Sequence, residues 1–497
     1  MGYFVGVDIG TQGSKGIVTD ESGKVLASSY KSHDLLTPKP GWAEQDAKEW
    51  EKSFFFVLKD LMEKLNSNLK KNIRSITVSG LYGGSGVPVN DKVEPIRPAL
   101  IWMDRRAKEE TEWVKRNVPK DKLVSITGNY VDTYFGFTKI MWIRNNERNV
   151  WNETYKFLSP KDYIIYKLTG KIVIDHSSAG NLGGIYDLKK MDWSEEMAEI
   201  LGIDLKKLPD EIIGSSEIVG KIKGDIAREL GIGEDVVVVA GGIDAPVAQL
   251  SAGVVEYGEQ VVMLGTSMCW GTLQSGQSIN PNLVNYPYVV NEKNLIYTFG
   301  GGATSGAIVA WLVENFIREE DPYSAMEEEA KKIPPGSEGL VVLPYFMGER
   351  SPIWDPDAKG LVFGLSLKHT RAHVYRAFLE GVAYSLLHNI EEAKKAGMDL
   401  PRRSYIVGGG AKSDLWMQIM ADVTGYEITR LKGNVEAPLG DAFLGCYALR
   451  ECESYKDIKK WTEEERTFKP QSHPVYEKLY EIYKSLYEKN KDLMRKV

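Results

Sequence analysis

The chain opens on a short apolar run, Tyr3-Phe-Val-Gly-Val-Asp8, that ends at Ile9-Gly10-Thr11. A second run, Gly16-Ile-Val-Thr-Asp20, a turn at Glu21-Ser-Gly23 and a third run, Lys24-Val-Leu-Ala-Ser28, follow at once. Short apolar runs punctuated by Gly, Ser and Asp predict a β-meander. The period then changes. Trp50, Phe54, Val57, Leu58 and Leu61 recur at the three- and four-residue spacing of one helix face. Ser75-Ile-Thr-Val-Ser79 reads as a β-branched strand running into Gly80-Leu-Tyr-Gly-Gly84.

The same order returns about half the chain later. Gln260-Val-Val-Met-Leu264 ends at Gly265-Thr-Ser267 and precedes a run through Trp270-Gly-Thr-Leu273. Ser404-Tyr-Ile-Val407 enters Gly408-Gly-Gly410 as the strand at Ser75 enters Gly80. Two aligned pairs in one order predict a duplicated α/β fold, although strand–Gly–Thr turns also recur by chance. The boundary falls near residues 245–255, giving domains of residues 1–248 and 249–497. Between the turns, Trp113 to Lys171 reads as helical insertions. At the end, Val475, Tyr476, Leu479, Tyr480, Tyr483, Leu486 and Tyr487 form the stripe of an amphipathic docking helix.

Composition narrows the class. A chain of 497 residues that is 43% hydrophobic and 26% charged is globular and long enough for several cores. With 62 basic and 69 acidic residues it carries a formal charge of −7, which offers nucleic acid or an anionic membrane no general attraction. The apolar stretch from Val236 to Val255 is broken by Asp244, Pro246 and Gln249, so no membrane span is expected. Cys269, Cys446 and Cys452, an odd number, make no disulfide framework and no zinc cluster. A soluble protein in a reducing, cytoplasmic setting is the expectation.

Candidate chemistry lies at strand ends. The chain has no GxxxxGK[ST], HExxH or GxSxG motif. Asp8-Ile-Gly-Thr-Gln-Gly-Ser-Lys15 instead joins a carboxylate, two glycines, two hydroxyls and a cation. Exposed backbone N–H groups in such turns cradle phosphate oxygens, and a neighbouring carboxylate suits Mg²⁺. The same residues also fit an ordinary hairpin in which Asp8 caps its own turn. Asp244 follows the buried-strand pattern Val236–Ala240. It reads either as a helix N-cap or as a base at the carboxyl end of a central strand. Gly408-Gly-Gly-Ala-Lys-Ser413 and Phe299-Gly-Gly-Gly302 permit close backbone approach to a planar ligand or a phosphate.

Taken together, these motifs resemble the FGGY carbohydrate kinases of the actin/Hsp70/sugar-kinase superfamily over nearly the whole chain. Asp8–Lys15 is similar to the family's first phosphate motif, Gly265-Thr-Ser267 to the second and Gly408–Ser413 to the adenosine motif. Gly41-Trp-Ala-Glu-Gln-Asp46, Ile101-Trp-Met-Asp-Arg105, Ser159-Pro-Lys-Asp162, Gly360-Leu-Val-Phe-Gly-Leu365 and His373–Glu380 also have counterparts. Phe378 and Gly136 depart from the family patterns.

The resemblance implies two duplicated actin-like (ribonuclease H-like) domains around a cleft, with helical insertions. The sugar would sit on the N-terminal domain and the nucleotide on the C-terminal one. It implies transfer of the γ-phosphate of ATP to a hydroxyl of a ketose or polyol, first a pentulose such as xylulose or ribulose. Asp244 would be the catalytic base and Asp8 the Mg²⁺ ligand. Gly10, Thr11, Ser14, Lys15, Gly265, Thr266, Gly302, Gly409, Gly410, Ala411 and Ser413 would bind the nucleotide. Tyr82, Gly83, Trp102 and Asp104, with Asp244, would contact the sugar. The motifs are most similar to those of xylulokinases, but the Gln and substrate-facing His of that subgroup are replaced here by Leu81 and Gly83. Small-molecule partners are expected, with a homodimer left open. The alternatives are a kinase-fold sugar-binding regulator and a nucleotide-driven binding protein, neither with phosphotransfer.

Overall fold

The computed structural model describes residues 2–433 and 436–497. The expected meander is present: β1 (Tyr3–Ile9), β2 (Gly13–Asp20) and β3 (Val25–Ser32) pair antiparallel in sequence. Helix α1 (Ala47–Glu63) buries Trp50, Phe54, Val57, Leu58 and Leu61 against them, and Asp46 caps it by accepting the Lys48 N–H. Strand β4 (Ile73–Gly80) then runs parallel to β1. Two further strands, β5 (Ile218–Lys221) and β6 (Val237–Val239), complete a six-stranded sheet of order β5-β6-β4-β1-β2-β3.

A second sheet repeats the plan. Its strands are β7 (Gln260–Leu264), β8 (Met268–Gln274), β9 (Val284–Pro287), β10 (Ile296–Gly300), β11 (Arg403–Val407), β12 (Glu427–Leu431) and β13 (Glu464–Phe468). The order is β9-β10-β8-β7-β11-β12-β13. Strand for strand, β7, β8, β10, β11, β12 and β13 answer β1, β2, β3, β4, β6 and β5. Each pair of neighbours keeps its parallel or antiparallel sense. Tight turns follow the two central strands at Gly10 and Gly265. There the Gly10 N–H donates to the Gly13 carbonyl at 3.0 Å, and the Gly265 N–H to the Ser267 carbonyl at 3.0 Å.

The insertions are largely helical, as the pattern predicts, and include α2 (Gly136–Asn146) and α3 (Pro160–Thr169). Helix α4 (Asp244–Ser251) leaves the first sheet, and α5 (Gly306–Phe316), α6 (Arg371–Lys395) and α7 (Asp414–Thr424) clothe the second. Helix α8 (Ala437–Ala448) comes from the second half of the chain yet packs on β1. A Cβ at Gly6 would stand 2.0 Å from the Pro438 carbonyl oxygen, so only glycine lets that helix lie so close. The tail helix α9 (Pro474–Met494) buries Tyr476, Leu479, Tyr480, Tyr483, Leu486 and Tyr487, the stripe read as a docking face.

The cysteines depart from the expectation of a chain without disulfides. Cys446 and Cys452 are bridged, because the chain reverses at the end of α8 and brings their Cα atoms to 6.0 Å. Arg450, in the left-handed region at φ 58°, makes that reversal. The bridge is local, and Cys269 is the free thiol. No helix among the described residues is long and apolar enough to cross a membrane.

Candidate active site

The carboxyl ends of β1, β4, β6, β7 and β11 converge on one cavity of about 930 Å³. In open α/β sheets ligands bind at such strand ends. Asp8 and Thr11 reach it from β1, Tyr82 from β4, Asp244 from the junction after β6, Gly265–Ser267 from β7 and Gly408, Gly409 and Ala411 from β11. The sequence places these residues hundreds of positions apart; strand order brings them together.

Asp244 is held by its backbone. Gly241 lies at φ 62°, and a Cβ there would stand 2.0 Å from the Val78 carbonyl oxygen, so the chain turns sharply against β4. The N-cap of α4 is Ile243, and Asp244 is the first helical residue, with its carboxylate accepting the Ala245 N–H at 2.7 Å. A buried ion network supports this junction. Lys161 donates to Asp162 at 2.6 Å, pairs with Asp175 at 2.9 Å and holds the Ala240 carbonyl at 3.0 Å. Ser177, bonded to Asp175, accepts the Ile243 N–H at 3.2 Å. Burial raises the Asp244 carboxyl above the ordinary carboxylate range.

Asp8 is also raised, by burial first and then by the charge of Asp244. The Ser79 hydroxyl lies 3.0 Å from Asp8 and 2.6 Å from Asp441 on α8. A serine carries one proton, so both contacts are satisfied only when one carboxyl is itself protonated. Burial, and next to it the charge of Asp8, holds Asp441 far above the usual range.

One end of the cavity has aromatic walls: Tyr82, Trp102, Tyr134, Tyr286 and Phe299, with Cys269 and Arg350 between them. Arg350 is buried, and one terminal nitrogen donates to the Met268 and Gly302 carbonyls at 3.1 and 2.9 Å. Its Nε has no hydrogen-bond partner among the described residues. At the opposite end stand Lys412, Arg430, Leu431, Gly433, Glu436 and Pro438, the space expected for a nucleotide.

Several residues singled out from sequence lie beside the cavity rather than on it. Ser14 pairs in register with Ile9, so strand alternation turns it to the opposite face from Asp8, where it bonds Ser53 at 2.7 Å. Lys15 shares the Asp8 face but is ion-paired with Glu436. Gly10 shapes the turn, and Gly302 accepts from Arg350. Gly410 packs against Leu264 and Trp416, and Ser413 caps α7 by accepting the Trp416 N–H at 3.2 Å. Asp104 is fully buried, bonded to the Ala43 N–H at 2.7 Å and ion-paired with Arg106. Gly83, at φ 75°, has no room for a histidine: its Cβ would meet the Trp102 Cβ at 3.0 Å and the Tyr134 ring at 3.1 Å. Arg350, Tyr134, Tyr286 and Lys161 were missed, since none sits in a glycine-punctuated strand end; Phe299 heads a glycine run noted in the sequence, but its ring was not read as a wall, and only Lys161 lay inside a motif with a family counterpart.

Two lobes of actin-like, ribonuclease H-like topology meet at a cavity lined by Asp8, Asp244 and the turns that follow the two central strands. Models of the FGGY family of carbohydrate kinases match the chain over residues 3–251 (N-terminal domain) and 260–449 (C-terminal domain). The chain belongs to that family and is a sugar kinase. It is 32% identical over 433 residues to a xylulose kinase of Staphylococcus xylosus, covering 86% of this chain and 87% of that one. It is 30% identical over 468 residues to a gluconokinase of Bacillus subtilis (strain 168), covering 92% and 89%. The crystal structure of a ligand-bound xylulose kinase from Lactobacillus acidophilus superposes with a TM-score of 0.91 at 26% identity, covering 99% and 98%.

Proposed function

We propose that the chain transfers the γ-phosphate of ATP to a hydroxyl of a ketose or polyol, a pentulose such as xylulose or ribulose before others. The observation that carries this reading is Asp244, half-buried and with its carboxyl raised, at the aromatic end of the cavity that the phosphate-type turns also line. Asp244 accepts the proton of the acceptor hydroxyl as its oxygen attacks phosphorus in line. Tyr82, Trp102 and Tyr134 orient the sugar and exclude water. Thr11 and Thr266 donate to the phosphate oxygens, Gly265 shapes the turn that presents Thr266, and Gly408, Gly409 and Ala411 pack against the adenosine. Such transfer depends on positioning and charge stabilisation more than on covalent help from the protein.

The donor set suits a magnesium ion. No cluster of three or more acidic, His or Cys side chains among the described residues would cage a metal. One half-buried carboxylate beside a phosphate cradle fits an ion that keeps waters and takes its other ligands from phosphate. Asp8 would hold it, and the ion would supply charge neutralisation on the phosphates. The sugar then belongs to the half ending near residue 248 and the nucleotide to the half that follows.

A second reading, a sugar acid as acceptor, is favoured by Arg350, a buried guanidinium that lines the cavity beside the Trp102 ring and suits a carboxylate. Both readings meet one experiment: ADP release measured with ketopentoses, ketohexoses, pentitols, glycerol and aldonates. Turnover on a pentulose above all others is expected. Turnover on the aldonate alone selects the second reading, and ADP release independent of any sugar contradicts both.

A further inference from the structure

Lys139, on α2, is fully buried and forms no ion pair among the described residues. A lysine in that position is costly unless its ammonium is fully bonded. Its three protons meet three backbone carbonyls: Gly83 at 2.8 Å, Thr133 at 2.6 Å and Tyr134 at 2.7 Å. All three belong to two loops that carry cavity walls. Gly83 follows Tyr82, and Tyr134 lines the cavity itself. The first residue of α2 closes the same junction, since a Cβ at Gly136 would stand 2.1 Å from the Gly84 carbonyl oxygen. Lys139 does not reach the cavity. It ties together the two loops that do.

We propose that Lys139 is a positioning residue for the acceptor: by clasping the 82–84 and 133–134 loops, it fixes the Tyr82 and Tyr134 walls and so sets which sugars bind. This rests on the acceptor occupying the aromatic end, as the proposed function has it. With Gly83 too confined for a histidine, selection by rigid walls takes the place of a polar side chain on that loop. The surrounding charges leave the clasp finely balanced. Burial pulls the ammonium down to about 7, with Arg105 and Arg106 acting the same way and Asp104 and Asp132 opposing them.

The test is Lys139→Met, which keeps the stem and removes the donors, assayed with the best acceptor of wild type. The acceptor KM should rise about tenfold or more, the equivalent of ~1.4 kcal/mol, and discrimination between sugars should flatten. The KM for ATP should stay within about twofold. A folded variant whose two KM values move together, or not at all, overturns the proposal. Wild type turning over no sugar would instead defeat the functional reading beneath it. Should Lys139→Met not fold, hydrogen exchange of wild type decides, after correction for intrinsic rates. Peptides spanning 80–86 and 131–137 should lose protection together between pH 6 and 8.5, as the ammonium drops from three donors to two, while 73–79 keeps its own. Unchanged protection in both loops overturns the proposal as well.

Discussion

The Trp102 indole N–H donates to the Thr11 hydroxyl at 3.0 Å, joining an aromatic wall of the cavity to the turn that follows the first central strand. Gln45 holds the same residue from the other side, donating to the Thr11 carbonyl at 2.7 Å. Two motifs far apart in the sequence, Gly41–Asp46 and Ile101–Arg105, thus serve one turn. In the proposed function, these shared bonds would set acceptor and phosphate positions together.

Replacing Trp102 with Phe keeps a wall and removes the indole donor. A single hydrogen bond contributes about 0.5–1.5 kcal/mol, so kcat should fall roughly two- to tenfold. The acceptor KM should change less, because a ring still covers the sugar. Steady-state kinetics with both substrates varied will show this. A large rise in acceptor KM at constant kcat would mean that the N–H serves the sugar and not the turn.

Asp8→Ala should raise the Mg²⁺ concentration needed for half-maximal turnover by about tenfold or more. Sugar binding measured calorimetrically without nucleotide should be nearly unaffected. Unchanged turnover at limiting Mg²⁺ would remove Asp8 from the role assigned to it.

Asp441→Asn tests the raised carboxyl that shares the Ser79 hydroxyl with Asp8. A carboxyl raised in the folded state holds a proton that the unfolded chain releases near pH 4, so stability falls as pH rises above that value, by up to about 1.4 kcal/mol per unit. Asparagine carries no such proton. The variant should therefore gain in Tm relative to wild type at pH 8 by more than at pH 5. An equal or smaller gain at pH 8 would mean that Asp441 is ionised beside Asp8.

Much of this was legible in the chain because it is local. Alternation fixed β1 to β3, the 3.6 period fixed α1 and α9, and glycine-punctuated strand ends located Asp8, Thr11, Asp244, Gly265 and Gly409 on the cavity. What the pattern could not resolve was facing and distance. Ser14 lies in the right motif but on the wrong side of the sheet, and Asp104 in a matching motif is spent on Arg106 and the Ala43 amide. Arg350 and Asp441 act through partners between about 50 and 360 positions away, and Lys139 joins its near neighbours Thr133 and Tyr134 to Gly83, 56 positions away; no spacing rule connects such distant partners.

The most direct measurement is phosphoryl transfer by Asp244→Asn in a single turnover, alongside its affinity for sugar and ATP. Asparagine keeps the oxygen that accepts the Ala245 N–H, and the helix cap belongs to Ile243, so the fold should survive. The substitution removes the basicity. The rate of transfer should fall by roughly 10²–10⁴, the usual contribution of a positioned proton acceptor, with both affinities changed far less. A folded variant that binds both ligands and transfers phosphate at near wild-type rate would contradict the account.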